Sequence, residues 1–266
     1  MSKFGFIGIG NMGGALAMAA SKAVSPSEIF VSSLHSENAQ AFSKAYGTVP
    51  STNNTIAHEA KFIVLGVKPQ FMEEVLSELR PILSTRQDAV LVTMAAGLTM
   101  ADITRMAGRD FPVIRIMPNT PVQVGYGTIL YDTNELVSPE DLAEFLAAMK
   151  PAGYLDPLPE RLIDAGSAVA GCGPAFACLV LEALADGGVA CGLPRKKAME
   201  YAAQMLLGSA QLFLETGKHP GELKDAVCSP GGSTIQGVRT LEEGGLRGLL
   251  MDAVIAAYEK NKNIIG

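Results

Sequence analysis

Hydrophobic residues in the first half of the chain come in short continuous runs, each ending at glycine, proline or small polar residues. Residues 3–9, 28–33, 61–67, 89–94 and 112–117 have this form. Such runs, without polar alternation, mark strands buried on both faces, as in a parallel sheet. Residues 14–20 predict a helix of small residues. Residues 71–83 predict another, with Phe71, Val75, Leu76 and Leu79 on one face. Residues 127–131 and 152–156 read as edge strands flanking a helix over 139–149. That helix has Pro139 at its first position and Glu140 and Asp141 in its first turn.

From Pro159 the pattern turns to helix alone. Residues 160–164 lead into 165–186, kinked or broken at Gly171-Cys172-Gly173-Pro174. Leu193-Pro194-Arg195 opens a helix through Gly217, residues 235–242 form another, and 245–261 the last. The chain therefore divides into an α/β domain over 1–158 and an all-α domain over 159–266. Residues 165–184 are apolar nearly all round, which demands burial on all sides. A domain of roughly 100 residues has little room for such a helix alone, so a partner copy is expected.

Composition narrows the class. The chain has 266 residues, 48% hydrophobic and 18% charged, ample for a packed core. A net charge of −6 argues against nucleic acid, whose phosphates it would repel. The uncharged run 165–181 is interrupted and shorter than the roughly 20 residues of a membrane span. The N-terminus enters a strand at once, without the look of a signal peptide. Cys172, Cys178, Cys191 and Cys228 form no Cys-x-x-Cys pair, and His35, His58 and His219 are scattered. A reduced cytoplasmic protein without a metal site is expected, with no membrane partner.

The first strand runs into Gly8-Ile9-Gly10-Asn11-Met12-Gly13, a full G-x-G-x-x-G between strand and helix. This is the context a dinucleotide fingerprint requires. Gly8 makes the tight turn, Gly10 admits the pyrophosphate and Gly13 lets the helix pack on the sheet. The second strand ends in Ser32-Ser33-Leu34-His35-Ser36, with no carboxylate before Glu37. An acid there would bind the ribose of NAD; hydroxyls and a histidine suit a 2′-phosphate better, although no Arg or Lys is present. NADPH is therefore expected, with NADH left open. Later strands end in Val67-Lys68-Pro69-Gln70, Ala95-Ala96-Gly97 and Pro118-Asn119-Thr120-Pro121. Ligands bind at such carboxyl ends.

The stretch Ser229-Pro230-Gly231-Gly232-Ser233-Thr234 precedes a helix, with Ser233 or Thr234 expected at its start. Free amides and the helix dipole there favour an anion such as a carboxylate. With Asp225 four residues ahead, this stretch closely resembles the signature of the pyrroline-5-carboxylate reductases. These are NAD(P)H-dependent enzymes of the last step of proline synthesis. The three strand tails are also similar to that family's, so the resemblance covers nearly the whole chain. It departs at Cys172, where the family commonly carries Ser in G-S-G-P-A-Y; a small buried cysteine is expected there.

The resemblance implies a Rossmann-type dinucleotide-binding domain followed by a helical dimerisation domain, in a homodimer or larger homo-oligomer. It implies reduction of 1-pyrroline-5-carboxylate to L-proline. It places the cofactor on Gly8, Ile9, Gly10, Asn11, Met12 and Gly13. Ser32, Ser33 and Asn53, and Val67, Lys68, Pro69, Ala96 and Asn119, complete that set. It places the substrate on Glu160, Ser229, Gly232, Ser233 and Thr234, with the Thr234 hydroxyl as the catalytic group at the ring nitrogen. A β-hydroxyacid dehydrogenase shares the layout but needs a lysine on the first long helix, and none lies between Lys150 and Lys196. A non-catalytic NADP-binding protein would keep the fingerprint without needing residues 229–234.

Overall fold

The computed structural model describes residues 3–262 and divides into two compact units. Among the described residues, the first comprises residues 3–172 with 257–262, the second residues 173–256. The helix over 160–170, which the sequence pattern groups with the helical half, packs within the first unit.

The strands of the first unit are β1 (Phe4–Ile7), β2 (Ile29–Ser32), β3 (Val49–Pro50) and β4 (Phe62–Leu65). They continue with β5 (Val90–Thr93), β6 (Val113–Pro118), β7 (Gly127–Thr133) and β8 (Gly153–Pro157). They form one sheet of order β3-β2-β1-β4-β5-β6-β7-β8. Neighbours are parallel except β6 and β7. β7 lies between β6 and β8, so it is not the edge strand its sequence suggests; its backbone pairs on both sides.

The first unit's helices are α1 (Asn11–Ala20), α2 (Ser36–Tyr46), α3 (Asn53–Glu59) and α4 (Met72–Leu83). α5 (Met100–Ala107), α6 (Pro139–Met149) and α7 (Glu160–Ala170) follow. β1, β4 and β5 are buried throughout, as their unbroken apolar sequences require. Alternate side chains feed two cores. Phe4, Phe6, Phe62 and Val64 pack with α1 and Phe145 of α6. Ile7, Ile63 and Leu65 pack with α3, α4 and α5. Phe4 stacks on Phe62 at 4.7 Å, and Phe62 tilts against Phe145 at 5.9 Å.

α7 lies on β6 and β7 through Ile163, which packs with Met117 and Leu130. A buried ionic cluster holds its first turns. Arg115, central in β6 and 2% exposed, reaches Glu160 Oε1 at 3.2 Å and Asp164 Oδ1 at 3.1 Å. The Met100 amide, opening α5, donates to the same Glu160 oxygen at 2.7 Å. The Glu160 amide in turn donates to Asp132 Oδ2 at 2.5 Å, and Asp132 faces Arg115 across the β6–β7 ladder. One guanidinium thus fastens α7, while α7's first side chain caps α5.

The second unit is helical: α8 (Gly173–Ala190), α9 (Arg195–Thr216), α10 (Pro220–Ala226), α11 (Ser233–Glu243) and α12 (Leu246–Lys262), the last running beyond it. α8 and α9 meet through Ala185, Ala198 and Ala202, whose small side chains allow close approach. The expectation of burial on all sides is not met within one chain. Of α8 only Ala185 is buried, while Leu179 is 66% exposed. Glu160–Ala190 is long and apolar enough by composition to cross a membrane, contrary to the reading of the shorter run. Its α7 part, however, buries Ile163, Ser167 and Ala168 against protein.

Removing one partner of a buried ion pair strands the other charges and costs about 3 kcal/mol or more. Arg115→Leu should therefore lower the urea unfolding free energy by about 3 kcal/mol at fixed protein concentration. A loss below about 0.5 kcal/mol would show that the cluster does not hold α7.

Candidate functional site

The turn after β1 is shaped by contact distances. Gly8 has φ +91°, a region that favours glycine. A Cβ on Gly13 would stand 2.2 Å from the Gly8 carbonyl oxygen, and one on Gly66 would stand 2.4 Å from it. Neither position admits a side chain, so α1 and the end of β4 close tightly on the turn. Gly10 faces open space. It is the N-cap of α1, with no side-chain cap and no acid in the first turn. The leading amides of α1 thus remain free for an anion, with the dipole adding to the attraction. These features fit a dinucleotide pyrophosphate. An open groove of about 740 Å³ begins at Ile9, Gly10 and Asn11 and continues along α1 to Phe42 and Tyr46 of α2.

The end of β2 supports this turn from below. The Ser32 carbonyl accepts from Gly8 N at 3.0 Å and Ile9 N at 3.2 Å. The Ser32 hydroxyl is buried and bonds Asn53, which opens α3, at 2.6 Å. Ser33 is half-buried, and Leu34 and His35 are exposed. No carboxylate precedes Glu37, whose Oε1 lies 3.9 Å from His35 Nδ1.

The remaining tails follow the same edge of the sheet. Val67 and Pro69 are half-buried after β4 and Lys68 is exposed; Ala96 is half-buried after β5. The Asn119 side chain is committed to the protein. Its Nδ2 donates to Ala170 O at 2.9 Å and its Oδ1 accepts from Thr128 N at 2.9 Å. Its carboxamide is a brace between β7 and the end of α7. Glu160 is likewise occupied by Arg115 and Met100 N. Its carboxylate, expected near the substrate, latches α7 and α5.

In the second unit the loop before α11 departs from the expected cap. Gly232, not Ser233 or Thr234, is the N-cap, and it carries no side-chain bond. Gly231 has φ +70°, and the Gly232 amide closes a turn on Ser229 O at 3.0 Å. A Cβ on Gly232 would stand 2.5 Å from Ser229 Oγ and 3.1 Å from Ser229 O, so a side chain there would displace the Ser229 hydroxyl. Ser233 and Thr234 occupy the first two helical positions with their side chains exposed, and Ser229 is exposed beside them. Three free amides and up to three hydroxyls converge there, with no acid in the first turn. The chemistry suits one carboxylate with a hydroxyl alongside.

Known proteins resemble both parts of the chain. A family model described as pyrroline-5-carboxylate reductase dimerisation matches residues 160–264. One described as NADP oxidoreductase, coenzyme F420-dependent, matches residues 3–97. Pyrroline-5-carboxylate reductase of Escherichia coli (strain K12) is 40% identical over 265 residues, 98% of this chain and 98% of that protein. The chain belongs to the pyrroline-5-carboxylate reductase family. The Pisum sativum reductase is 40% identical over 262 residues, 98% of this chain and 95% of its own. The structure of Plasmodium falciparum pyrroline carboxylate reductase, solved with NADP bound, superposes with a TM-score of 0.90. It is 31% identical and covers 100% of this chain and 98% of that one. The Rossmann-like domain and helical dimerisation domain expected from the sequence are those of this reductase family.

Sequence reasoning missed Arg115, Asp164 and Gly66. Arg115 is a lone charge in an apolar strand, and that oddity was the available signal for a buried ion pair. Gly66 left no signal, because its need depends on a turn that is distant in sequence. Cys172 is half-buried rather than buried.

The steric reading of the turn has a direct test. Gly13→Val should abolish NADP(H) binding in calorimetry, because its branched side chain meets the Gly8 carbonyl. Retained affinity within about twofold would mean that α1 can move away at little cost.

Proposed function

We propose that this protein reduces the C=N bond of 1-pyrroline-5-carboxylate to L-proline, with NADPH preferred to NADH, as a cytoplasmic homodimer or larger homo-oligomer. The observation that carries the substrate reading is the uncapped start of α11 behind the Ser229–Gly232 turn, in a chain that matches the reductases end to end. NADPH is favoured by the hydroxyl-bearing end of β2 with no acid before Glu37. A relative solved with NADP supports the same choice. The exposed apolar side chains of α8 and α9 and the dimerisation match support assembly.

A bound nicotinamide supplies the hydride; the protein supplies position and electrostatics. The amides of Ser233 and Thr234, the first two of α11, hold the substrate carboxylate, beside a turn that the Gly232 amide closes on Ser229 O. The Thr234 hydroxyl donates to the ring nitrogen. With that cofactor bound, hydride would add to the imine carbon, the C=N π pair would pass to nitrogen beside the Thr234 hydroxyl, and one proton from water would complete the secondary amine. A cyclic imine protonates readily in water, so this reduction asks for no dedicated acid–base pair.

The first measurement is nicotinamide absorbance with purified protein, pyrroline-5-carboxylate and either cofactor. Turnover with a higher kcat/KM for NADPH is expected. No turnover with either cofactor refutes the function, and a preference for NADH refutes the selectivity.

The bond to nitrogen should strengthen as the imine becomes an amine, so Thr234 should act on kcat. Thr234→Ala and Thr234→Val should each lose about tenfold to a hundredfold in kcat, the equivalent of about 1–3 kcal/mol. Thr234→Ser should recover most of it. Because Gly232 is the cap, the melting temperature should change little in all three. An unchanged kcat in Thr234→Val would remove this hydroxyl from the mechanism.

Assembly is tested by sedimentation velocity at low micromolar protein. No stable monomer is expected, and a folded, active monomer would sink the assembly reading.

A further inference from the structure

Ser32 ends β2, where sheets of this type often place the carboxylate that reads the cofactor ribose. At 3% exposure it has no surface to offer a ligand. Its polar groups turn inward. The carbonyl holds Gly8 N and Ile9 N, and the hydroxyl lies 2.6 Å from Asn53 Oδ1 and 3.5 Å from Phe6 O. Both oxygens can accept, and the Ser32 proton goes to the nearer one, Asn53 Oδ1. A 2.6 Å separation belongs to O–H···O bonds, whereas N–H···O bonds cluster near about 2.9–3.0 Å. The carboxamide oxygen of Asn53 therefore faces Ser32, and its nitrogen points away.

Asn53 is partly exposed and opens α3 just past β3, at the carboxyl edge of the sheet. Among the described residues its Nδ2 has no partner. We infer that Ser32 is a positioning residue that fixes the Asn53 carboxamide so that its two N–H donors face the 2′-phosphate of NADPH. The inference rests on the reading of the first unit as an NADPH site. One residue then does two things. Its backbone anchors the pyrophosphate turn, and its hydroxyl sets which end of a neighbouring amide meets the ribose. N–H donors bond an anionic phosphate oxygen roughly twice as strongly as a neutral 2′-hydroxyl oxygen, so they favour the phosphate.

The test is direct titration of the full-length protein with NADPH and with NADH, without imine, followed by nicotinamide fluorescence. Binding is read independently of turnover, so a protein that reduces some other substrate still answers the question, and failure of the reductase reading is seen separately. Ser32→Ala should weaken NADPH about threefold to tenfold, with a smaller effect on NADH. In an Asn53→Ala background the same change should add less than about twofold, because its route of action is gone. Ser32→Thr keeps the hydroxyl and should restore NADPH binding. Asn53→Asp keeps an acceptor for Ser32 but turns a carboxylate oxygen toward the phosphate, and should reverse the preference to NADH. Equal weakening in both backgrounds, equal losses for both cofactors, or an Asn53→Asp protein that still prefers NADPH would each overturn the inference. If Ser32→Ala does not fold, Ser32→Thr and Asn53→Asp decide it by the same outcomes.

Discussion

The Gly8 carbonyl oxygen occupies space that two side chains would otherwise claim. Any Cβ at Gly13 or Gly66 would lie within 2.4 Å of it, closer than non-bonded atoms approach. The start of α1 and the end of β4 can converge on the turn after β1 only because both positions are glycine. The Gly66 amide then reaches Ile7 O at 2.7 Å and ties β4 to β1 just below the turn. The opposite side of the turn is fixed by the Ser32 carbonyl. Steric closeness and backbone bonds therefore set the loop, and no side chain has to reach over it. The free amides of α1 are left facing outward as a result.

The second unit works by the opposite principle. Its helices touch one another through alanines, and larger side chains such as Leu179, Leu207, Leu214 and Met251 stay exposed in one chain. Water contact with so much apolar surface is unfavourable by roughly 25 cal/mol per Å². Monomeric proteins seldom leave contiguous apolar surface of this kind uncovered. The same composition would pass as a membrane span in Glu160–Ala190, but α7 spends its apolar side on β6 and β7. A second copy of the helical unit would cover such side chains without lipid, and the dimerisation match supports homo-oligomerisation.

The legible parts of the fold were those written in consecutive residues. Strands buried on both faces show as unbroken apolar runs, and the two glycine-rich turns show as short strings, so both anion-suited loops could be found directly. α2 left only a faint pattern, because it buries just Ala39 and Ser43. β7 looked like an edge because nothing local says that β8 pairs beyond it. Glu160 and Asn119 were legible as positions but not as partners. Their polar groups are claimed by Arg115, Met100, Ala170 and Thr128, all of them at least nine residues away in sequence. The cap of α11 was misplaced by one or two residues because Ser and Thr are ordinary caps. Gly232 takes that place because the turn closed by its amide on Ser229 O ends there, one residue earlier.

Helix starts are treated in two ways. Thr52, Thr99 and Ser138 accept amides at the starts of α3, α5 and α6, and Asp132 and Glu160 accept the first amides of α7 and α5. In those helices the protein itself satisfies the positive end. α1 and α11 instead begin at Gly10 and Gly232, with no side-chain cap and no acid in the first turn. α9, opening after Pro194, shares that lack, so it is the glycine N-caps of α1 and α11 that set these two apart. A capping side chain there would stabilise each helix by about 1 kcal/mol, so its omission at both sites is a cost to folding. An anion in the cap's place would offset that cost, as the proposed pyrophosphate at α1 and carboxylate at α11 would. The reductase reading supplies two such anions, one for each compact unit. Residues 229–234 serve no comparable purpose in a protein that only binds a dinucleotide.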